Sequence, residues 1–296
     1  MLATDAAAPS YAVWAPVAAR VWRLCGWEPL LLCHAEHWNT TPWGREIRRE
    51  LDVAATVMLD VVTCPPMGVP NTMRCSRLAA AAWSELRDDD VLLTSDVDII
   101  PVNKTFFRAP PSEAFSLRSH YQAWLALSDR SFLASEIEPG NFRLAMCYCG
   151  ATAACWRRLF PEIEVGDVNK SIARIFTGRG DSTDNDEVVL SFRFLSGWPG
   201  PTVEECLGQW RRGELLLTDP VHAPNLYCGP AIPRGLAIHG AGGCGRGTPA
   251  PGCIDWIPGR FEAGSRPWSD VRAVGLLHPE LEEWVTGYIS RMKELL

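Results

Sequence analysis

Val91-Leu92-Leu93-Thr94-Ser95-Asp96-Val97-Asp98-Ile99-Ile100-Pro101 decides how this chain is read. Residues suited to a buried strand run into an Asp-x-Asp pair, and Pro101, which has no N–H to donate, is expected to stop the ladder. Two carboxylates so close repel each other, and burying them unpaired is costly. A divalent cation resolves that conflict, because Mg²⁺ and Mn²⁺ take carboxylate and phosphate oxygens together. A strand ending in Asp-x-Asp within an α/β pattern therefore points to a metal holding a phosphorylated ligand. Open α/β sheets bind ligands beyond the carboxyl ends of their strands, where Asp96 and Asp98 fall. The bland reading of the same string is a turn capped by two aspartates. Asp88-Asp89-Asp90 precedes the strand, at the end away from a ligand, and reads as a solvated turn.

The segments upstream alternate strand and helix. Residues 1–4 read as the tail of a first strand, slightly truncated at its start. A helix is expected over 10–25, with Val13, Trp14, Val17, Val21 and Leu24 as its apolar face and Gly26 at its C-terminal cap. Leu30-Leu31-Leu32-Cys33 is a buried strand. Thr41 followed by Pro42 is an N-cap with a proline in the first helical position, opening a basic helix through Arg45, Arg48 and Arg49. A strand over 56–62 follows, then a helix capped by Asn71 and reaching Leu86. The order β-α-β-α-β-α-β predicts one α/β domain over 1–296, with a central, mostly parallel sheet flanked by helices. Within it, 1–101 form a ligand-binding half and 102–296 a second half.

Downstream the pattern is less regular. Residues 144–150 read as a strand on which Cys147 and Cys149 share a face. Thr152 caps a helix that Pro161 ends, and two more helices are expected at 168–177 and 184–195. Residues 228–267 are rich in Gly and Pro and read as a long surface loop. The chain closes with a helix over 279–295 whose stripe of Leu281, Trp284, Val285, Tyr288, Ile289, Met292 and Leu295 is core packing.

Composition narrows the function classes. Apolar residues make up 47% and charged residues 21%, which fits a globular chain rather than a disordered one. The net charge of −7 argues against a general nucleic-acid binder, since phosphate-backbone affinity needs a basic surface. Eleven cysteines, an odd number without regular disulfide spacing, fit a reducing cytosol and a cytoplasmic chain. Cys228, Cys244 and Cys253 match no common zinc spacing. No apolar run approaches the ~20 residues of a membrane helix, so no membrane span is expected.

The Asp pair has company: Ala3-Thr4 on the first strand, Ser76-Arg77-Leu78 before the motif, and Asp186-Glu187 after the strand that ends near Gly150. With Thr94-Ser95-Asp96-Val97-Asp98 and Pro101, these features resemble a GT-A glycosyltransferase, a Rossmann-like fold. The resemblance covers most of 1–195 and extends toward His239. It is nearest to the compact, single-domain transferases of algae and large DNA viruses.

The resemblance implies roles. Asp98 binds Mn²⁺ or Mg²⁺ directly, Asp96 holds the ribose and assists the metal, and Val97 lies between them against the nucleotide. Ala3, Thr4 and Asp5 meet the base, and Arg77 approaches the diphosphate or ribose. His239 is the candidate further metal ligand. Asp186, with Glu187 next in line, is the candidate base for the acceptor hydroxyl. The donor is a UDP- or GDP-sugar and the acceptor a glycan or glycoprotein. Charge explains the requirements: the leaving nucleoside diphosphate gains negative charge that a cation stabilises, and the acceptor must lose a proton to a carboxylate. Asp186 also suits a plain helix N-terminus. Two other classes use similar parts. A haloacid-dehalogenase-like phosphatase also carries Asp-x-Asp after a strand with Mg²⁺, but its motif lies near the N-terminus. A non-catalytic sugar-nucleotide or glycan binder would share the fold without turnover.

Overall fold

The computed structural model describes residues 2–4, 12–34, 36, 38–97, 100–101, 116–117, 149–181, 186–187, 189–190, 193, 253–254, 272, 274–276 and 278–296. The chain is mixed α/β and divides into two compact units. One comprises Met1 with residues 61–95 and 109–222, and the other residues 2–60, 96–108 and 223–296.

In the second unit, β1 (Leu2–Thr4), α1 (Ala15–Leu24), β2 (Leu30–His34), α2 (Pro42–Val53) and β3 (Val57–Val61) follow in chain order. The sheet order is β1-β2-β3, with β1 parallel to β2 and Thr4 opposite Cys33. All five residues of β2 are buried. An unbroken apolar run marks a strand covered on both faces, and β2 is the central strand. Local signals place the helices. Pro16 lies in the first turn of α1, and Gly26, at φ +83°, takes the left-handed conformation just past its end. Thr41 caps α2 as expected, its hydroxyl accepting from Gly44 N at 3.1 Å. Gly44 has to be glycine, because a Cβ there would meet both that hydroxyl and Trp38 O at 2.8 Å.

The C-terminal helix α6 (Glu282–Leu295) follows a short 3₁₀ turn at Pro279–Leu281. Val285, Tyr288, Ile289 and Met292 of the expected stripe are buried, while Leu295 is exposed. Polar contacts anchor α6. Tyr288 donates its hydroxyl to Val13 O at 2.8 Å. Glu50, buried on α2, accepts from Trp284 Nε1 (2.7 Å), Arg291 Nη2 (2.6 Å), Arg20 Nη2 (3.0 Å) and Arg49 Nη2 (2.9 Å). Arg20 also lies over the Trp284 ring, 4.2 Å from its centroid. A buried carboxylate needs this many donors to replace its hydration.

The network is sensitive to acid. Hydrogen bonds from Arg49 hold the Glu46 carboxyl down at about 2; partial burial opposes this and Arg291 reinforces it. Burial pushes Glu50 upward, but Trp284 and Arg20 outweigh it and leave its carboxyl below the ordinary range. A carboxyl depressed in the folded state stabilises above its unfolded pKa of about 4.3, and that contribution is lost as pH falls toward the folded value. The urea midpoint is therefore expected to fall between pH 5 and about 2, and Glu46→Gln should flatten that slope. An equally steep slope in Glu46→Gln would place the acid sensitivity elsewhere.

In the first unit, α3 (Val69–Ser76) runs directly into a 3₁₀ segment, Arg77–Ala82, and β4 (Val91–Leu93) follows. The helix expected to start after Asn71 and reach Leu86 is corrected at both ends. Gly68 is the N-cap, with Pro70 in the first turn, so Asn71 is inside the helix. The segment ends at Ala82, with Trp83 as its cap. The buried Ala79–Ala82 run has side chains small enough for the tighter 3₁₀ winding to pack.

The sheet around β4 also differs from expectation. β4 pairs antiparallel with β7 (Cys149–Thr152), and β7 pairs antiparallel with β6 (Ser116–Leu117), in the order β4-β7-β6. The parallel pair described is β1 with β2, in the second unit. The strand expected over 144–150 is described from Cys149 and runs on to Thr152; Cys147 lies outside the described residues. Thr152 caps α4 (Ala153–Leu159), accepting from Cys155 N at 3.2 Å. The helix expected at 168–177 is α5 (Val168–Ile175), capped by Asp167. Of the one expected at 184–195, residues 186–187, 189–190 and 193 are helical.

One further expectation changes. β5 (Ile100–Pro101), whose last residue is Pro101, pairs antiparallel with β8 (Cys253–Ile254), so the 228–267 stretch contains a strand. In a two-stranded sheet each strand keeps a free edge, where a proline is tolerated. Among the described residues, no helix is long and apolar enough to cross a membrane.

Candidate functional site

Thr94 and Ser95, at the carboxyl end of β4, are buried. Their position is set across the strand pair. Thr94 N donates to Cys149 O at 2.8 Å, and Cys149 N donates to Thr94 Oγ1 at 2.9 Å. The hydroxyl thus continues the ladder where the strand leaves off, and this fixes the chain just before Asp96. Trp156 Nε1 adds a hydrogen bond to Leu92 O at 3.3 Å.

Arg77 and Asp186, both singled out from the sequence, meet here. Arg77 Nη2 donates to Asp186 Oδ2 at 3.0 Å, and the two side chains are only 7% and 4% exposed. They lie 109 residues apart in the chain. Burying either charge alone would be prohibitive, so each accounts for the other's position. Arg77 Nε also donates to Arg74 O at 3.3 Å.

The surrounding thiols register these charges. Burial pushes the Cys149 thiol up to about 12; the Thr94 hydrogen bond and Arg77 act the other way, while Glu187 and Asp186 add to the rise. Cys75 is likewise raised by burial and by Asp186, against Arg77. Arg77, Asp186 and Glu187 therefore all act on the first residue of β7, which is bonded to Thr94. Glu187 is half-buried and more open to solvent than Asp186.

The other predicted positions lie in the second unit or outside the described residues. Ala3 and Thr4 are on β1, paired with Leu32 and Cys33. Asp96 is half-buried. Val97 is buried, 2% exposed. Asp5, Asp98 and His239 lie outside the described residues. Among the described residues, no group of three His, Cys, Asp or Glu side chains is placed to hold a metal.

The sequence reading missed Asp181. Its Oδ1 accepts from Gly68 N at 2.9 Å and from Asn71 Nδ2. Asn71 therefore serves as a donor within α3 rather than as its cap. Pro70 was the available signal, because proline belongs in the first turn and puts the cap one or two residues earlier. Nothing local in the sequence marks Asp181 as the partner. Comparison with protein-family models, curated proteins and solved structures finds no match to this chain.

Proposed function

We propose that this chain is a glycosyltransferase of the GT-A type, moving a sugar from a UDP- or GDP-sugar to an acceptor hydroxyl. The observation that carries the reading lies in the second unit. Its three strands have the order β3-β2-β1 with β1 and β2 parallel, an order that mononucleotide-binding halves also have, and Asp96 of the Asp-x-Asp pair belongs to the same unit. In that wiring a nucleotide sits beyond the carboxyl ends of the strands, where Thr4 ends β1.

Asp96, Asp98 and His239 would hold Mn²⁺ or Mg²⁺. When bound, the cation supplies electrostatic stabilisation of the charge on the departing diphosphate. Ala3, Thr4 and Asp5 are assigned to the base, and Val97 to the nucleotide. Arg77 orients Asp186 through their ion pair. Asp186, with Glu187 next in line, is assigned to take the acceptor proton. Loss of a general base lowers turnover by roughly 10²-fold or more while leaving donor binding intact. Asp186→Asn and Glu187→Gln, compared on folded protein, are expected to identify which carboxylate it is.

The test of the class is incubation with UDP- and GDP-sugars and Mn²⁺, with and without glycan acceptors, followed by assay for free nucleoside diphosphate. Release is the expected result, together with a rise in melting temperature when the sugar nucleotide and Mn²⁺ are both present. Inorganic phosphate released from phosphomonoesters would instead make the chain a phosphatase. A thermal shift without release under any acceptor would leave a non-catalytic binder. Neither shift nor release would sink the proposal.

A further inference from the structure

Asp186 and Glu187 are neighbours on one helical stretch but lie on different faces of it. Asp186, Val189 and Leu190 are buried, at 3%, 4% and 0% exposure. They fall at i, i+3 and i+4, the spacing of residues that share a helix face. That face is turned to the core, and Asp186 is its charged member, matched by Arg77 at 3.0 Å. Glu187 comes one residue later, about 100° around the helix at 3.6 residues per turn, and is half-buried.

Proton transfer separates the two carboxylates. A general base has to reach the acceptor hydroxyl and hold its proton for part of each cycle. If Asp186 took that proton, the Arg77 guanidinium, 7% exposed at its side chain, would become a buried cation without its counter-charge. Protonation of Glu187 leaves that pair balanced. Glu187 also lies toward the end of β4: its charge acts on the Cys149 thiol, and Cys149 is bonded to Thr94 through both its N–H and its carbonyl.

We propose that Glu187 is the general base of the transfer, and that Asp186 is a positioning residue whose pairing with Arg77 seats the helix that carries Glu187. This reverses the order in which the sequence ranks the two, and it rests on reading the chain as a glycosyltransferase. In the step, the acceptor oxygen bonds to the anomeric carbon of the sugar as that carbon's bond to the diphosphate oxygen breaks. The bonding pair leaves with the nucleoside diphosphate. The acceptor proton goes to the Glu187 carboxylate and then to water.

The experiment compares Glu187→Gln, Asp186→Asn and the control Asp89→Asn, which alters a carboxylate on an exposed turn. Transfer from the UDP- or GDP-sugar that the unmodified protein uses is followed against pH, together with donor affinity and Tm. A base works only when ionised, so the unmodified rate should fall toward acid pH. Glu187→Gln is expected to lower kcat by roughly 10²-fold, to flatten that acid limb, and to leave donor affinity and Tm within error. Asp186→Asn is expected to lower Tm, to reduce kcat by less than about ten-fold, and to keep the acid limb. An acid limb that survives in Glu187→Gln would overturn the proposal, and this reading stands even if Asp186→Asn fails to fold. Loss of the limb in folded Asp186→Asn, with Glu187→Gln transferring normally, would return the role to Asp186. If the unmodified protein transfers no sugar from any donor, the glycosyltransferase reading falls and takes this proposal with it. Transfer that both variants sustain at the normal rate would sink only the proposal.

Discussion

Replacing Asp186 by alanine is expected to lower the stability of the unit containing residues 61–95 and 109–222 by about 3–5 kcal/mol, the usual cost of stranding one member of a buried ion pair. The large value follows from burial. Arg77 is 7% exposed at its side chain, so its guanidinium cannot exchange the lost carboxylate for bulk water. An ion pair on the surface would be worth less than about 1 kcal/mol. At the size of this unit the loss corresponds to a fall in Tm on the order of 6–20 °C. Arg77→Met combined with Asp186→Leu should recover most of it, because two apolar side chains of similar bulk leave no charge unpaired. Thermal and urea unfolding of the two single variants and the double variant measure this directly. A loss below about 1 kcal/mol in Asp186→Ala would mean that the guanidinium finds other acceptors or water. A double variant as unstable as the single ones would mean that the pair is needed for packing and not merely for charge balance.

Asp98→Ala is expected to abolish Mn²⁺-dependent binding of sugar nucleotides with little loss of stability. A carboxylate that serves a cation contributes to the ligand and not to the core, so its removal should leave the unfolding transition near that of the unmodified chain. In the proposed reading Asp98 is the direct ligand and Asp96 the partner that also reaches the ribose. Isothermal titration of UDP- and GDP-sugars with and without Mn²⁺ separates the outcomes. The unmodified chain should bind with Mn²⁺ and weakly without it, and Asp98→Ala should bind equally weakly in both. If Asp98→Ala keeps the Mn²⁺-dependent affinity, the motif is a turn and the metal, if any, is held elsewhere.

The sequence by itself determined the features whose causes lie within a few residues. Thr41 and Thr152 were legible as caps because a hydroxyl reaches an N–H three residues ahead. Leu30–Cys33 was legible as a buried strand because an unbroken apolar run has no polar face to give to water. The closing helix was legible from its 3.6-residue stripe, which Val285, Tyr288, Ile289 and Met292 bury. The candidate residues Arg77, Asp186 and Glu187 could likewise be picked out as residue types beside a motif.

Their arrangement could not be read in this way, because it depends on partners far along the chain. A run such as Val91-Leu92-Leu93 suits a parallel or an antiparallel neighbour equally, so only the fold could give β4 the antiparallel β7. Arg77 and Asp186 are 109 residues apart, and Asn71 and Asp181 are 110. Glu50 gathers Arg20, Trp284 and Arg291 from elements up to 241 residues away. A charged side chain states only that it needs a partner or water, and which of these it receives is settled when the backbone brings distant elements together and excludes the solvent.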